Sequence, residues 1–108
     1  MTIQPGEFWV ADIPYTDASS STKRPILVLW LDGADLVAAA VTTATPRSPR
    51  DVALTDWQSS GLLRASTVRL SRLDSLEQSL MIARIGTISA ADAEQVRQTW
   101  LTHIKPQF

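Results

Sequence analysis

The longest apolar run in the sequence is Pro25-Ile26-Leu27-Val28-Leu29-Trp30-Leu31. It is far too short to cross a bilayer, which takes about 20 apolar residues. With no polar residue to wet one side, it fits a buried β-strand. Pro25 costs little at the first position, where the hydrogen-bonded ladder is only starting. A buried strand needs neighbours, and the flanking sequence supplies them. Asp32-Gly33-Ala34-Asp35 is a turn, and Leu36 to Thr43 reads as the strand that hairpins back. Upstream, Glu7 to Ile13 alternates, with Phe8 and Val10 against Glu7, Trp9 and Ala11, as a first strand does.

The remaining segments are short and punctuated. Pro14 to Lys23 is rich in Ser and Thr and has no periodic apolar pattern, so it reads as a loop. A loop of that length in a small domain is often functional. Pro46 to Pro49 breaks the chain again. Val52 to Leu54, Ser66 to Leu73 and Leu80 to Ile85 read as strands, and Thr55 to Leu62 as a segment holding one helical turn. Ser89 is placed as a helix N-cap, with Asp92 three residues on in an approximate capping box. Ala93, Val96, Trp100 and Ile104 recur at helical spacing, and Pro106 ends the helix. The pattern predicts a mainly β domain with a C-terminal helix. Its five or six short strands form a small, partly open barrel, and the helix covers an edge or an open end. All 108 residues fit one domain.

Composition narrows the chemistry. Without cysteine there is neither a disulfide framework nor a zinc–thiolate site. No apolar signal core precedes the first strand, so the reading is a soluble, cytoplasmic protein with no membrane partner. A net charge of −1 argues against avid, non-specific nucleic-acid binding. The charge is unevenly spread, however. Between Lys23 and Arg72 stand Lys23, Arg24, Arg47, Arg50, Arg64, Arg69 and Arg72 against Asp32, Asp35, Asp51 and Asp56. That stretch is net positive and mostly arginine, whose fork of donors suits phosphate. Asp12 and Asp17 could bind magnesium, but neither a DxD nor a His–Asp cluster supports a metal, so no cofactor is assigned.

Four pieces in this order resemble the MazF/PemK family: Gly6-Glu7-Phe8-Trp9-Val10-Ala11-Asp12; Lys23-Arg24-Pro25-Ile26-Leu27-Val28-Leu29; Ala40-Val41-Thr42-Thr43; and Gly61-Leu62-Leu63 with Ser66-Thr67-Val68-Arg69-Leu70, followed by Ser75-Leu76 and Ile85-Gly86-Thr87-Ile88-Ser89. The resemblance implies an SH3-like curved barrel, a homodimer, and a toxin of a type II toxin–antitoxin system. That toxin would be a ribosome-independent endoribonuclease cutting single-stranded RNA at specific sequences. It also implies a cognate antitoxin that blocks the site, expected to do so with an acidic, disordered tail.

The resemblance makes Arg24 the catalytic arginine, and stabilising charge on the phosphoryl oxygens is its physically safest role. Thr43 is the matching hydroxyl, with Thr42 and Thr45 competing for the register. Arg69 matches an arginine that some family members follow, two residues later, with an aspartate; Ser71 stands there instead. RNA contacts are assigned to Arg69, Ser66, Trp9, Lys23 and Arg47, although Ser66 also fits a purely structural role. Trp9 faces away from Phe8 and Val10, whereas Trp30 and Trp100 read as core. His103, the only histidine, reads as a helix-end residue rather than a base. Sequence specificity is placed in the Pro14–Lys23 and Thr45–Arg50 loops. Two rivals remain: a barrel toxin of similar fold that binds a protein such as gyrase, and a toxin-like protein that has lost activity.

Overall fold

The computed structural model describes residues 2–14 and 21–108. The elements are β1 (Glu7–Pro14), β2 (Ser21–Asp32), β3 (Asp35–Thr42), β4 (Asp51–Ala53), β5 (Thr67–Glu77), a 3-10 turn at Gln78–Leu80, β6 (Met81–Thr87) and α1 (Ala90–His103). The strands form one antiparallel sheet in the order β4-β5-β3-β2-β1-β6. The mainly β fold with a C-terminal helix is as expected. The sheet is open, with β4 and β6 as its edges.

Of the segment expected as a loop, Pro14 to Lys23, the two ends are strand: Pro14 closes β1, and Ser21, Thr22 and Lys23 open β2. β1 and β2 stay paired out to Pro14 opposite Ser21. Arg24 therefore lies inside β2, opposite Ala11, and not at the strand's start. Thr and Ser along one side of a ladder pair as readily as apolar residues when the other strand supplies the hydrogen bonds, a tertiary condition that local composition does not report. Residues 15–20 lie outside the described residues, and with them Asp17 and most of the first segment assigned to specificity.

Both faces of the sheet are covered. One core gathers Phe8, Leu27, Ala39, Val41, Val52, Leu54, Leu62, Val68, Leu70 and Val96. Trp57, Trp100, Ile104, Ile85 and Ile88 pack against it, so α1 lies on this face through the side predicted from its spacing. A second core gathers Ile3, Trp9, Ala11, Ile26, Val28, Leu36, Ala38, Leu76 and Met81 on the other face. Covering both sides explains why β2 has no polar alternation at its centre.

It also overturns one placement. Trp9 does face away from Phe8, but it is 2% exposed in the second core, where its indole N–H donates to Glu7 Oε1 at 3.1 Å. It is not positioned to stack on RNA. The reverse holds for Trp30, expected in the core but 42% exposed, with its ring edge-on to Trp100 at 5.6 Å between centroids.

Two local devices lock the frame. Glu7 accepts from Gln4 N–H at 2.7 Å and pairs with Arg84 Nε at 2.7 Å. Burial pushes its carboxyl up, but these donors and the Trp9 indole outweigh that and hold it below the ordinary range. At the start of α1, Ser89 Oγ accepts from Asp92 N–H at 3.1 Å, the predicted cap. Asp92 does not complete a capping box. Its carboxylate turns across to the 55–62 segment, where it accepts from Thr55 N–H, Thr55 hydroxyl and Asp56 N–H at 3.0, 2.8 and 2.9 Å.

Candidate functional site

The face that carries the second core runs out into a cavity. On β2, Thr22 and Arg24 continue the alternation of Ile26 and Val28; on β3, Ala40 and Thr42 continue that of Ala38. Where the apolar side chains stop, polar ones line a cavity of about 380 Å³. Ile13, Pro14, Pro25, Ile26, Ala40 and Val41 form its apolar wall; Thr22, Arg24, Thr42, Arg69, Arg72 and Asp74 form its polar wall.

The arginines of β5 reach this cavity because the strand is irregular. Ala39 pairs with Leu73 and Ala40 with Arg69, so Leu70, Ser71 and Arg72 have no partner on β3. In an unbroken strand, residues 69 and 72 would point to opposite faces. The extra residues let Leu70 bury in the first core, its N–H donating to Arg50 O at 3.1 Å, while Arg69 and Arg72 both line the cavity. Asp74 then falls on the same face as Arg72 and Leu76.

The arginines are not equivalent. Arg69 Nε lies 3.4 Å from Asp51 Oδ1, and its side chain is 19% exposed. Arg24 and Arg72 are exposed and make no ion pair with any described residue. Among the described residues the cavity therefore presents two guanidinium groups without an ion pair, one paired with Asp51, one carboxylate and two hydroxyls. Such a set can clamp a phosphodiester and offers an acceptor for a proton.

The positions assigned from sequence sort as follows. Arg24 and Arg69 line the cavity. Thr43 is exposed in the bend after β3, and the hydroxyl residue in the cavity wall is its neighbour Thr42, whose Oγ1 also accepts from Ala44 N–H at 3.1 Å. Ser66 is 9% exposed and donates to Arg64 O at 2.8 Å, the structural role, away from the cavity lining. Lys23 is exposed on the other face of β2 from Arg24, and Arg47 is exposed in the loop between β3 and β4; neither lines the cavity. Asp12 is half-buried, and among the described residues no three His, Cys, Asp or Glu side chains converge to hold a metal. His103 ends α1, where its carbonyl oxygen accepts from Arg50 Nε at 3.0 Å.

Sequence reasoning missed Thr22, Arg72 and Asp74. A signal for the last two was present: the Arg-x-Asp spacing absent at Arg69-Leu70-Ser71 occurs three residues on, at Arg72-Leu73-Asp74. The bulge shifts the chain by that amount. A regular strand would have kept only one of Arg69 and Arg72 on the cavity face.

A second, shallower depression of about 740 Å³ lies beside α1, lined by Leu27, Leu29, Trp30, Ile88, Trp100 and Leu101 among others. It is mainly apolar, and Leu101 is 72% exposed.

Compared with known sequences, residues 4–103 match the family described as PemK-like, MazF-like toxin of type II toxin-antitoxin system. The chain belongs to this family. No curated protein matches its sequence. Among solved structures it is similar to an endoribonuclease in complex with its cognate antitoxin from mycobacterial species, with a TM-score of 0.76 at 19% identity, covering 97% of this chain and 100% of that one. It is also similar to an endoribonuclease from mycobacterial species, with a TM-score of 0.73 at 19% identity over 94% of this chain and 91% of that one. A third similar structure is MazF from Deinococcus radiodurans, with a TM-score of 0.68 at 21% identity over 92% and 93% of the two chains. At such identities the likeness shows the fold, and the toxin-family membership rests on the sequence match. Among the described residues no helix of this toxin-family chain is long and apolar enough to cross a membrane.

Proposed function

We propose that this chain is an endoribonuclease toxin that cuts single-stranded RNA at specific sequences, independently of the ribosome and of any metal. The observation that carries the reading is the cavity that gathers Arg24, Arg69 and Arg72 around Thr22, Thr42 and Asp74. RNA carries its own nucleophile, the 2′-OH beside each phosphodiester. Cleavage needs a group to take that proton, donors for the charge that grows on the phosphoryl oxygens, and a proton for the departing 5′-oxygen.

The cavity has a residue type for the first two demands, and solvent protonates the departing 5′-oxygen. Arg24 and Arg72, free of carboxylate partners among the described residues, face the scissile phosphate as an electrostatic clamp. A guanidinium resists deprotonation, so neither serves as the base. Asp74 is the cavity's carboxylate and takes the 2′-OH proton. Thr42 donates a neutral hydrogen bond to a phosphoryl oxygen. The products are a 2′,3′-cyclic phosphate and a 5′-hydroxyl.

Two partners follow from the same chemistry. A cationic cavity that holds a polyanion also fits an acidic peptide, so a cognate antitoxin with an acidic, disordered tail fills it and competes with RNA. The protein works as a homodimer in the cytoplasm, where its RNA is. Light scattering measures the dimer, and a crystal of the complex shows where the tail binds.

The test is incubation of the purified protein with a long single-stranded RNA in EDTA. Discrete fragments ending in 2′,3′-cyclic phosphate support the reading. Cleavage that requires added magnesium overturns the metal-independent mechanism. Intact RNA under both conditions overturns the enzyme and leaves the protein-binding or inactive alternatives.

A further inference from the structure

The Asp51 carboxylate is attached at both of its oxygens, and the two attachments belong to different parts of the molecule. Oδ1 meets Arg69 Nε at 3.4 Å, across the β4–β5 ladder in which the two residues are direct partners. Oδ2 accepts from Arg47 N–H at 2.8 Å, in the loop that joins β3 to β4. The side chain of Asp51 is 1% exposed, while its partners reach outward: Arg69 into the cavity wall, Arg47 into solvent.

The loop is closed on itself around this point. Asp51 N–H donates to Ser48 O at 3.1 Å, and Arg50 N–H donates to Ser48 Oγ at 3.1 Å. Arg50 Nε anchors it to the end of α1 through His103 O. The other end of the loop leaves Thr42, a cavity residue. One buried carboxylate thus fixes both a guanidinium in the cavity wall and the backbone of the segment that leaves that wall at Thr42.

We propose that Asp51 is a positioning residue for RNA flanking the scissile phosphate: it holds Arg69 and the 43–50 loop in a single arrangement, so that Arg69 and Arg47 engage neighbouring nucleotides as one unit. The proposal rests on the endoribonuclease reading of the cavity. Its basis is electrostatic. Arg69 is already charge-compensated by Asp51, which lowers its attraction for the phosphate under attack but leaves its remaining donors oriented. Arg24 and Arg72, without such a partner among the described residues, carry the attack. The role of Asp51 therefore belongs to substrate affinity and sequence selection, and the turnover step is left to the other two arginines.

The decisive substitution is Asp51→Asn, close to isosteric. The two donors approach different oxygens, and an amide keeps only one of these, the other position becoming an NH2 donor, so in place it can hold Arg47 N–H or Arg69 Nε–H but not both. The coupling is lost whichever way the amide turns. Steady-state cleavage is measured for an extended single-stranded RNA and for the shortest oligonucleotide that the wild type cuts. For the extended RNA, KM is expected to rise roughly 5- to 20-fold, the loss of about one charge-assisted hydrogen bond, with kcat changed by less than about threefold. The shortest oligonucleotide, which lacks flanking contacts, shows a smaller rise in KM. The set of sites cut in a long RNA broadens.

A fall in kcat with KM unchanged, or equal effects on both substrates, overturns the proposal, because a merely structural Asp51 or one acting on the reacting phosphate would give those results. Should the wild type cut no RNA, the endoribonuclease reading fails and this proposal is read separately, by NMR hydrogen exchange. Exchange of Arg47 N–H and Arg69 Nε–H slowed together in the wild type, and one or both released in Asp51→Asn, supports the coupling. Fast exchange of either group in the wild type overturns it.

Discussion

Replacing Asp92 by Asn should destabilise the fold strongly, although the change removes only one charge and almost no volume. Asp92 is 1% exposed and holds the first turn of α1 against residues 55 and 56. Its Oδ1 serves the Thr55 N–H and hydroxyl, and its Oδ2 serves the Asp56 N–H. An Asn keeps one acceptor oxygen and turns an NH2 group toward donors on the other side, so at least one backbone N–H loses its acceptor. A hydrogen bond to a charged group contributes about 1.5–3 kcal/mol, and the surviving bonds lose their charge assistance, so the expected loss is about 2–4 kcal/mol. Urea unfolding should show this as a lower midpoint with the slope unchanged.

The pH dependence has a definite sign. Burial raises the Asp92 carboxyl, but the backbone donors of Thr55 and Asp56 and the Thr55 hydroxyl outweigh it, leaving the group below its ordinary range. A carboxylate depressed on folding contributes stability that is present above its unfolded pKa of about 3.9 and is lost as pH falls through the folded pKa. The gap between wild type and Asp92→Asn should therefore be full near neutrality and shrink in acid. Glu7, also held below its ordinary range, is common to both proteins and cancels in the difference. A neutral-pH loss below about 0.5 kcal/mol, typical of a surface substitution, would refute the argument that the carboxylate pins the helix to the turn.

In the cavity, Arg24→Lys keeps the charge but loses the planar fork, and should cut single-turnover RNA cleavage by about 10²–10³ with little change in melting temperature. Near-wild-type cleavage would remove Arg24 from the site. Thr42→Ala should slow cleavage more than Thr43→Ala, because Thr42 lines the cavity and Thr43 does not, and a neutral donor should contribute less than Arg24; a larger effect at Thr43 would reverse the assignment. At Gly86, a Cβ would overlap the Ser60 carbonyl oxygen, a backbone atom that cannot turn aside. Gly86→Ala should cost about 1–3 kcal/mol or more by thermal melting, and a neutral result would mean that the 59–61 turn can move away from β6.

Much of this protein is legible in the order of its residues. Strand and helix segments declare themselves by period: the apolar run of β2, the Asp-Gly-containing turn into β3, the Ser89 cap and the Val96–Trp100–Ile104 stripe all have local causes, and each is found where those causes place it. Arg24 stands out because a cation directly before the apolar run that Pro25 opens has a defined position along the chain. What local pattern does not carry is which face of a strand meets solvent. Alternation put Phe8 and Trp9 on opposite sides of β1, but only the second core, built from Ile3, Met81 and Leu76 at distant positions, decides that Trp9 is buried. The same limit applies at β5. Whether Arg69, Arg72 or both reach the cavity depends on the bulge of Leu70, Ser71 and Arg72 in β5 opposite Ala39 and Ala40 of β3, an irregularity set by how the two strands pair. Asp92 shows the boundary most plainly. Its spacing from Ser89 fixes that it lies in the first helical turn, whereas the destination of its carboxylate was decided by the backbone donors of Thr55 and Asp56, more than 30 residues away in the chain, which arrive there only when the fold closes.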